Sequence, residues 1–211
     1  MRRTLVVIGA SGHASVVCDL AASLGYTDFL FLDDRYPRLL EHPFGAVEGA
    51  VSQENLTRLR DESFVVAVGN CAVRERLFKA ALTTGLSPAT LVHPKASVSS
   101  RAEVGPGSVV FACAVVAPFA RTGAAAIINH GATIDHDCAL DDAVHVCPGA
   151  HISGGVSVGS RTWVGVGSSV RQSIRIGSDV TIGAGAVVVC DIPAGITVVG
   201  VPARAIARTG R

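Results

Sequence analysis

Between Val92 and about Pro193 the chain counts in sixes. Stepping six residues at a time from Val92 meets Val98, Val104, Val110, Val116, Thr122, Ile128, Ile134, Leu140, Val146, Ile152, Val158, Val164, Val170, Ile176, Ile182 and Val188. Sixteen of these seventeen residues are branched aliphatics, and no insertion breaks the register. The residues four further on, from Ala96 through Ala114, Ala132 and Ala150 to Ile192, are also small or apolar. A six-residue period matches neither an amphipathic helix nor a simple alternating strand. It matches a solenoid in which each hexad is one flat face and three hexads make a coil. Residues about 18 apart then stack on successive coils at the inter-strand spacing of roughly 4.8 Å. Gly105-Pro106-Gly107, Gly154-Gly155 and Gly183-Ala184-Gly185 supply tight corners. The expectation is a triangular parallel β-helix, and the period alone shows neither its hand nor its use.

Ahead of the solenoid the pattern changes to βαβ. Residues 4–8 read as a buried strand, Gly9-Ala10-Ser11-Gly12 as a glycine turn, and His13 to Leu24 as a helix ended by Gly25. Residues 29–32 form a second strand closed by Asp33-Asp34, and an irregular stretch with Pro37 and Pro43 follows. A short helix from Ser52, a third strand at 64–68 ending in Gly69-Asn70, and a helix from Val73 to Thr84 complete a small parallel sheet with Rossmann-like winding. The domains are read as 1–88, Rossmann-like, and 89–211, the solenoid with a C-terminal tail.

Composition removes several classes. A net charge of +1 argues against a nucleic-acid partner. The longest apolar run, around Val109 to Ala120, is too short to span a bilayer. Met1-Arg2-Arg3 is followed by too short an apolar run for a signal peptide. The six cysteines contain no CxxC pair and are expected to be buried free thiols in a cytoplasmic protein, with no metal bound.

Ligands of such a sheet sit beyond the carboxyl ends of the strands, which places Ser11-Gly12-His13, Asp33-Asp34 and Gly69-Asn70 at the candidate edge. A glycine turn opening a helix offers N–H groups to phosphate. The turn is GxxG and not GxGxxG, so it lacks the NAD fingerprint. A nucleotide of another kind and simple turn geometry both stay open. On the solenoid, polar residues gather at Asn129-His130, Asp135-His136-Asp137, His145 and His151. A carboxylate beside an imidazole sets its tautomer and favours its protonated form, as general-base chemistry requires. Exposed loop histidines are the bland alternative for each.

Gly-Ala-Ser-Gly-His at 9–13, Phe-Leu-Asp-Asp at 31–34, Val-Gly-Asn at 68–70, the hexads, Ile-Asp-His-Asp-Cys at 134–138 and Gly-Val-Pro-Ala-Arg at 200–204 together resemble the PglD/NeuD family. Its members are acetyl-CoA-dependent sugar acetyltransferases. The resemblance implies a left-handed β-helix, a homotrimer, and acetyl-CoA lodged between neighbouring solenoids. It also implies a nucleotide-linked amino sugar held partly by the N-terminal domain at Ser11, Gly12, His13, Asp33, Asp34 and Gly69. It puts the base at His136 and its carboxylate at Asp137, where relatives commonly carry Glu. His145 falls at the thioester, Gly165, Val166 and Ala184 along the coenzyme, and Arg204 at a coenzyme phosphate. The expected reaction is direct N-acetylation of a UDP-linked 4-amino-4,6-dideoxy sugar. Its rivals are a GDP- or dTDP-linked amino sugar, O-acetylation of a sialic-acid-type sugar, and a non-catalytic trimerisation or docking solenoid.

Overall fold

The computed structural model describes residues 3–206. The chain divides into two compact units at Pro94/Lys95. In the first, β1 (Thr4–Ile8), α1 (Gly12–Ser23), β2 (Asp28–Leu32), β3 (Glu41–His42), β4 (Gly45–Gly49), α2 (Gln53–Arg58), β5 (Ser63–Val66), α3 (Cys71–Leu82) and β6 (Ser87–Pro88) follow in order. They build one sheet in the order β3-β4-β2-β1-β5-β6. Every pairing is parallel except the β3–β4 hairpin. The central strand β1 is a continuous apolar run because it is covered on both faces, and Leu5, Val6, Val7 and Ile8 are fully buried. The hairpin occupies part of the stretch expected to be irregular. Pro37 and Pro43 hid it, because β4, Gly-Ala-Val-Glu-Gly, buries only Val47 and Gly49 and so carries little apolar signal.

The second unit is the β-helix. Val109–Val110, Ile127–Ile128, His145–Val146, Trp163–Val164 and Thr181–Ile182 stack on one face. Ser97–Val98, Val115–Val116, Thr133–Ile134, His151–Ile152, Ser169–Val170 and Val187–Val188 form the second face. The third runs from Glu103–Val104 through Arg121–Thr122, Ala139–Leu140 and Ser157–Val158 to Arg175–Ile176. Partners on adjacent coils are 18 residues apart, as Val116↔Ile134 and Ile134↔Ile152 show. The last coil is tighter: Thr181 pairs with Thr197, and Arg204–Ile206 then turns back antiparallel on Thr197–Val199.

The hexad residues from Val110 to Val188 point inward and are buried. Each such aliphatic contributes about 1.5–3 kcal/mol by leaving water, which is how strands of two residues persist. Thr122, the one polar member, accepts from the Gly105 N–H at 3.2 Å and so is satisfied inside the tube. Buried hydroxyls of the inner ring do the same work between coils: Thr162 Oγ1 donates to Gly177 O and accepts from Val180 N. The corners repeat a left-handed backbone residue every six positions, at Gly107, Cys113, Phe119, Ala125, Gly131, Asp137 and onward to Gly185.

Candidate active site

His136 sits on the corner between the second and third faces, and the backbone ladder of the coils pins it there. The Asp137 N–H donates to Pro118 O one coil before, and the Gly155 N–H donates to His136 O one coil after. Asp137 takes the left-handed position with φ 58°. A short polar side chain tolerates that backbone better than most. The geometry brings its Oδ2 to 2.8 Å from His136 Nδ1. Asp135 reaches back on the other side, its Oδ1 accepting from the His136 N–H at 2.8 Å. The side chains of His136 and Asp137 are each 61% exposed. The hydrogen bond to Asp137, then the charge of Asp135, raise the imidazole pKa above its ordinary value. With Nδ1–H committed to Asp137, Nε2 is the nitrogen left to take a proton.

His145 lies on the first face and is only 4% exposed. The Asn129 Oδ1 accepts from the His130 backbone N–H at 2.9 Å, which turns the amide so that its Nδ2 meets His145 Nε2 at 3.2 Å. That amide orientation offers an N–H to Nε2 of His145. The Trp163 ring packs on it from the next coil, with centroids 4.3 Å apart. Exposed His130 stacks on Phe111, and His151 bonds Thr133.

Val166 and Ala184 occupy one column, a coil apart, on the corner between the first and second faces. Both are exposed, whereas Gly165 beside them is buried. That corner is not the His136 corner. Arg204 is exposed on the final antiparallel strand, its Nη1 donating to Ala203 O. One tube thus does not gather all the residues assigned to acetyl transfer.

In the first unit the sheet's carboxyl edge is built around Asp33. Gly9 has φ 100°, and a side chain there would run into Val68 and Ala67, so the turn requires glycine. The Ala10 N–H donates to Asp33 Oδ2 at 2.8 Å, and Arg35 gives Asp33 its backbone N–H and two guanidinium bonds. Both oxygens of Asp33 are engaged inside the protein. What the edge presents instead is Arg35, half exposed, with Ser11 and Gly12 exposed at the start of α1. Asp34 accepts from Val51 N, and Gly69 O receives the buried Arg74 guanidinium. Arg35 was missed because its use follows from the fold of the 33–35 turn and not from a motif.

Arg35 holds the Asp33 carboxyl down to about 2. The Asp33 side chain is 11% exposed, so screening is small. The ionised form then stabilises the fold on the order of 2 kcal/mol above pH ~5, and that contribution is lost as pH falls through the lowered pKa. Denaturant titrations of wild type and Asp33→Asn are expected to differ most near neutrality and to converge in strong acid.

All six cysteines are free; Cys18, Cys71, Cys138 and Cys147 are buried, while Cys113, on a left-handed corner, and Cys190 are exposed. Among the described residues no helix is long and apolar enough to cross a membrane.

Residues 4–81 match the PglD N-terminal domain family. The acetyltransferase domain of PglB from Neisseria gonorrhoeae FA1090 is 43% identical, over 97% of this chain and 100% of that one, with a TM-score of 0.89. Its complex with acetyl coenzyme A superposes at 0.91 with 44% identity, over 98% and 100%. PerB from Caulobacter crescentus, solved with CoA and GDP-perosamine, is 36% identical over 97% of each chain with a TM-score of 0.91. UDP-N-acetylbacillosamine N-acetyltransferase of Bacillus subtilis (strain 168) is 37% identical over 122 residues, 52% of this chain and 52% of its own length. The chain spans about half or less of the curated relatives it matches. A matched N-terminal domain, a hexapeptide solenoid and near-complete likeness to the structures of two acetyltransferases converge. The chain belongs to the PglD/NeuD family of sugar acetyltransferases, acyltransferases with a Rossmann-like N-terminal domain and a left-handed β-helix.

Proposed function

We propose that this protein moves the acetyl group of acetyl-CoA onto the amine of a nucleotide-linked amino sugar, with His136 as general base. The observation that carries the reading is the His136–Asp137 pair, 2.8 Å apart on an exposed corner with Nε2 uncommitted. As the sugar nitrogen attacks the thioester carbonyl, its proton passes to Nε2. The tetrahedral intermediate then collapses, the C–S bond breaks, and the imidazolium returns the proton to the departing thiolate. A backbone N–H or His145 steadies the oxyanion. No cysteine is needed: Cys138, the thiol nearest the base in sequence, is buried inward with its Sγ on Ser153 O.

The acceptor class is a UDP-linked 4-amino-4,6-dideoxy sugar, in keeping with the Bacillus subtilis relative's UDP-linked substrate. A GDP-linked acceptor is the second reading, because PerB was solved with GDP-perosamine and matches nearly the whole chain. Ser11, Gly12, His13 and Gly69 frame the nucleotide, with Asp33 and Asp34 shaping the turn. Gly165, Val166, Ala184 and Arg204 lie along the coenzyme. Since Val166 and Ala184 stand on a different corner from His136, we assign the coenzyme cleft to two copies of a homotrimer. Six free thiols fit a cytoplasmic location.

Purified protein with acetyl-CoA should release free thiol when given UDP-, GDP- or dTDP-linked 4-amino sugars, fastest with the UDP sugar, and none with free sialic acid. Thiol release with sialic acid alone would reverse the acceptor class. No release with any acceptor would favour a docking solenoid.

A further inference from the structure

We propose that Gly154 is a positioning residue for the base: its missing side chain is the slot in which the His136 imidazole lies. Gly154 is the residue one coil after His136 in the same corner column, and Pro118 is the residue one coil before. A Cβ built on Gly154 would stand 2.5 Å from His136 Nε2, 2.6 Å from Cε1 and 3.1 Å from Cδ2. Real Cβ atoms essentially never come as close as the first two of these distances. The Nδ1 side of the ring meets Asp137, so the imidazole is held between that carboxylate and a bare Cα.

The glycine is not there for the backbone. Gly155, the next residue, takes the left-handed corner with φ 68°, and Gly154 does not share that conformation. Nor does the hexad pattern call for it. In the same phase Pro106, Ala112, Pro118, Ala124, His130, His136, Asp142, Pro148, Ser160, Val166, Gln172, Ser178 and Ala184 all carry side chains, and Gly154 is the lone glycine. Other cramped solenoid glycines such as Gly105 and Gly165 face backbone of the following coil, whereas Gly154 faces an imidazole. That imidazole is mostly exposed, so a methyl at 154 can be relieved by swinging the ring outward, away from Asp137 and from its set angle to the acceptor.

The inference rests on His136 being the base, and the experiment separates the two. Gly154→Ala is expected to keep its fold and lose about a hundred-fold in kcat, with KM for acetyl-CoA within about twofold of wild type. The His136 titration followed by NMR should move down toward the ordinary histidine value, because the bond to Asp137 that raises it is broken. In the His136→Ala background the three atoms nearest the added methyl are gone, so His136→Ala/Gly154→Ala should melt where His136→Ala does. Wild-type kcat and an unmoved titration in Gly154→Ala would overturn the proposal. So would a loss of melting temperature that is the same with and without the imidazole, which would mark a backbone role. Titration and melting read the slot without turnover. If His136→Ala were as active as wild type, they would still report on Gly154 while the choice of base failed.

Discussion

His136→Ala is expected to fold normally and to lose at least about two orders of magnitude in kcat. Normal folding follows from the local structure. The side chain is mostly exposed, the corner is held by backbone bonds from Asp137 to Pro118 and from Gly155 to His136, and alanine keeps both. The left-handed strain of the corner falls on residue 137 and is untouched. The loss in rate follows from chemistry: without an acceptor for the amine's proton, the attack proceeds through a charged nitrogen that reverts to reactants more readily than it expels thiolate. KM for acetyl-CoA should change little, because the coenzyme contacts are assigned to another corner. Steady-state kinetics with thiol detection, alongside a melting curve, checks this. Unchanged kcat in a folded variant would remove His136 from the mechanism.

How far the sequence announces this site depends on what kind of constraint each part obeys. The tube is legible because its rule is strict: a residue at Ile134 or Ile152 must be apolar, and the rule recurs without insertion for coil after coil. The corners are less legible. Cys113, Phe119, Ala125 and Asp137 adopt the same left-handed turn as Gly107 and Gly131, since hydrogen bonds from adjacent coils impose it against local preference. Glycine therefore marks only some of the bends. Asp135-His136-Asp137 stands out because three polar residues in a row break an apolar text. The engagement of Asp33 by Arg35 and Ala10 depends on a turn and a strand brought together from distant positions, and no spacing encodes it. The β3–β4 hairpin was hidden for a related reason: its single buried aliphatic, Val47, is recruited by β2 and not by its neighbours in sequence. Gly154 lies between these extremes, visible as a break in phase yet interpretable only once the ring above it is placed.

Asp137→Asn separates the two things the carboxylate does for the base. Asparagine is as much at home as aspartate in the left-handed corner, so the variant changes charge with little backbone cost, which alanine or glutamate would not guarantee. Its carbonyl can still accept from Nδ1–H, so the tautomer with Nε2 free persists. With the charge gone the bond to Nδ1–H is no longer charge-assisted, so the hydrogen bond that is the largest cause of the raised His136 pKa is weakened, while the pull of Asp135 remains. Activity needs neutral imidazole, so in the wild type it climbs as pH rises through that raised value. In Asp137→Asn the climb should begin at lower pH, moving toward the ordinary histidine range near 6.5. The plateau should fall by roughly ten- to a hundred-fold, because a weaker base removes the amine proton less readily and the imidazolium that forms loses its counter-charge. The variant would thus begin working at lower pH than wild type and yet work more slowly at every pH above the wild-type limb. A kcat/KM profile across that range, with the NMR titration of His136, reads both effects. A limb that stays in place or moves upward would mean that Asp137 does not act on the proton affinity of the base.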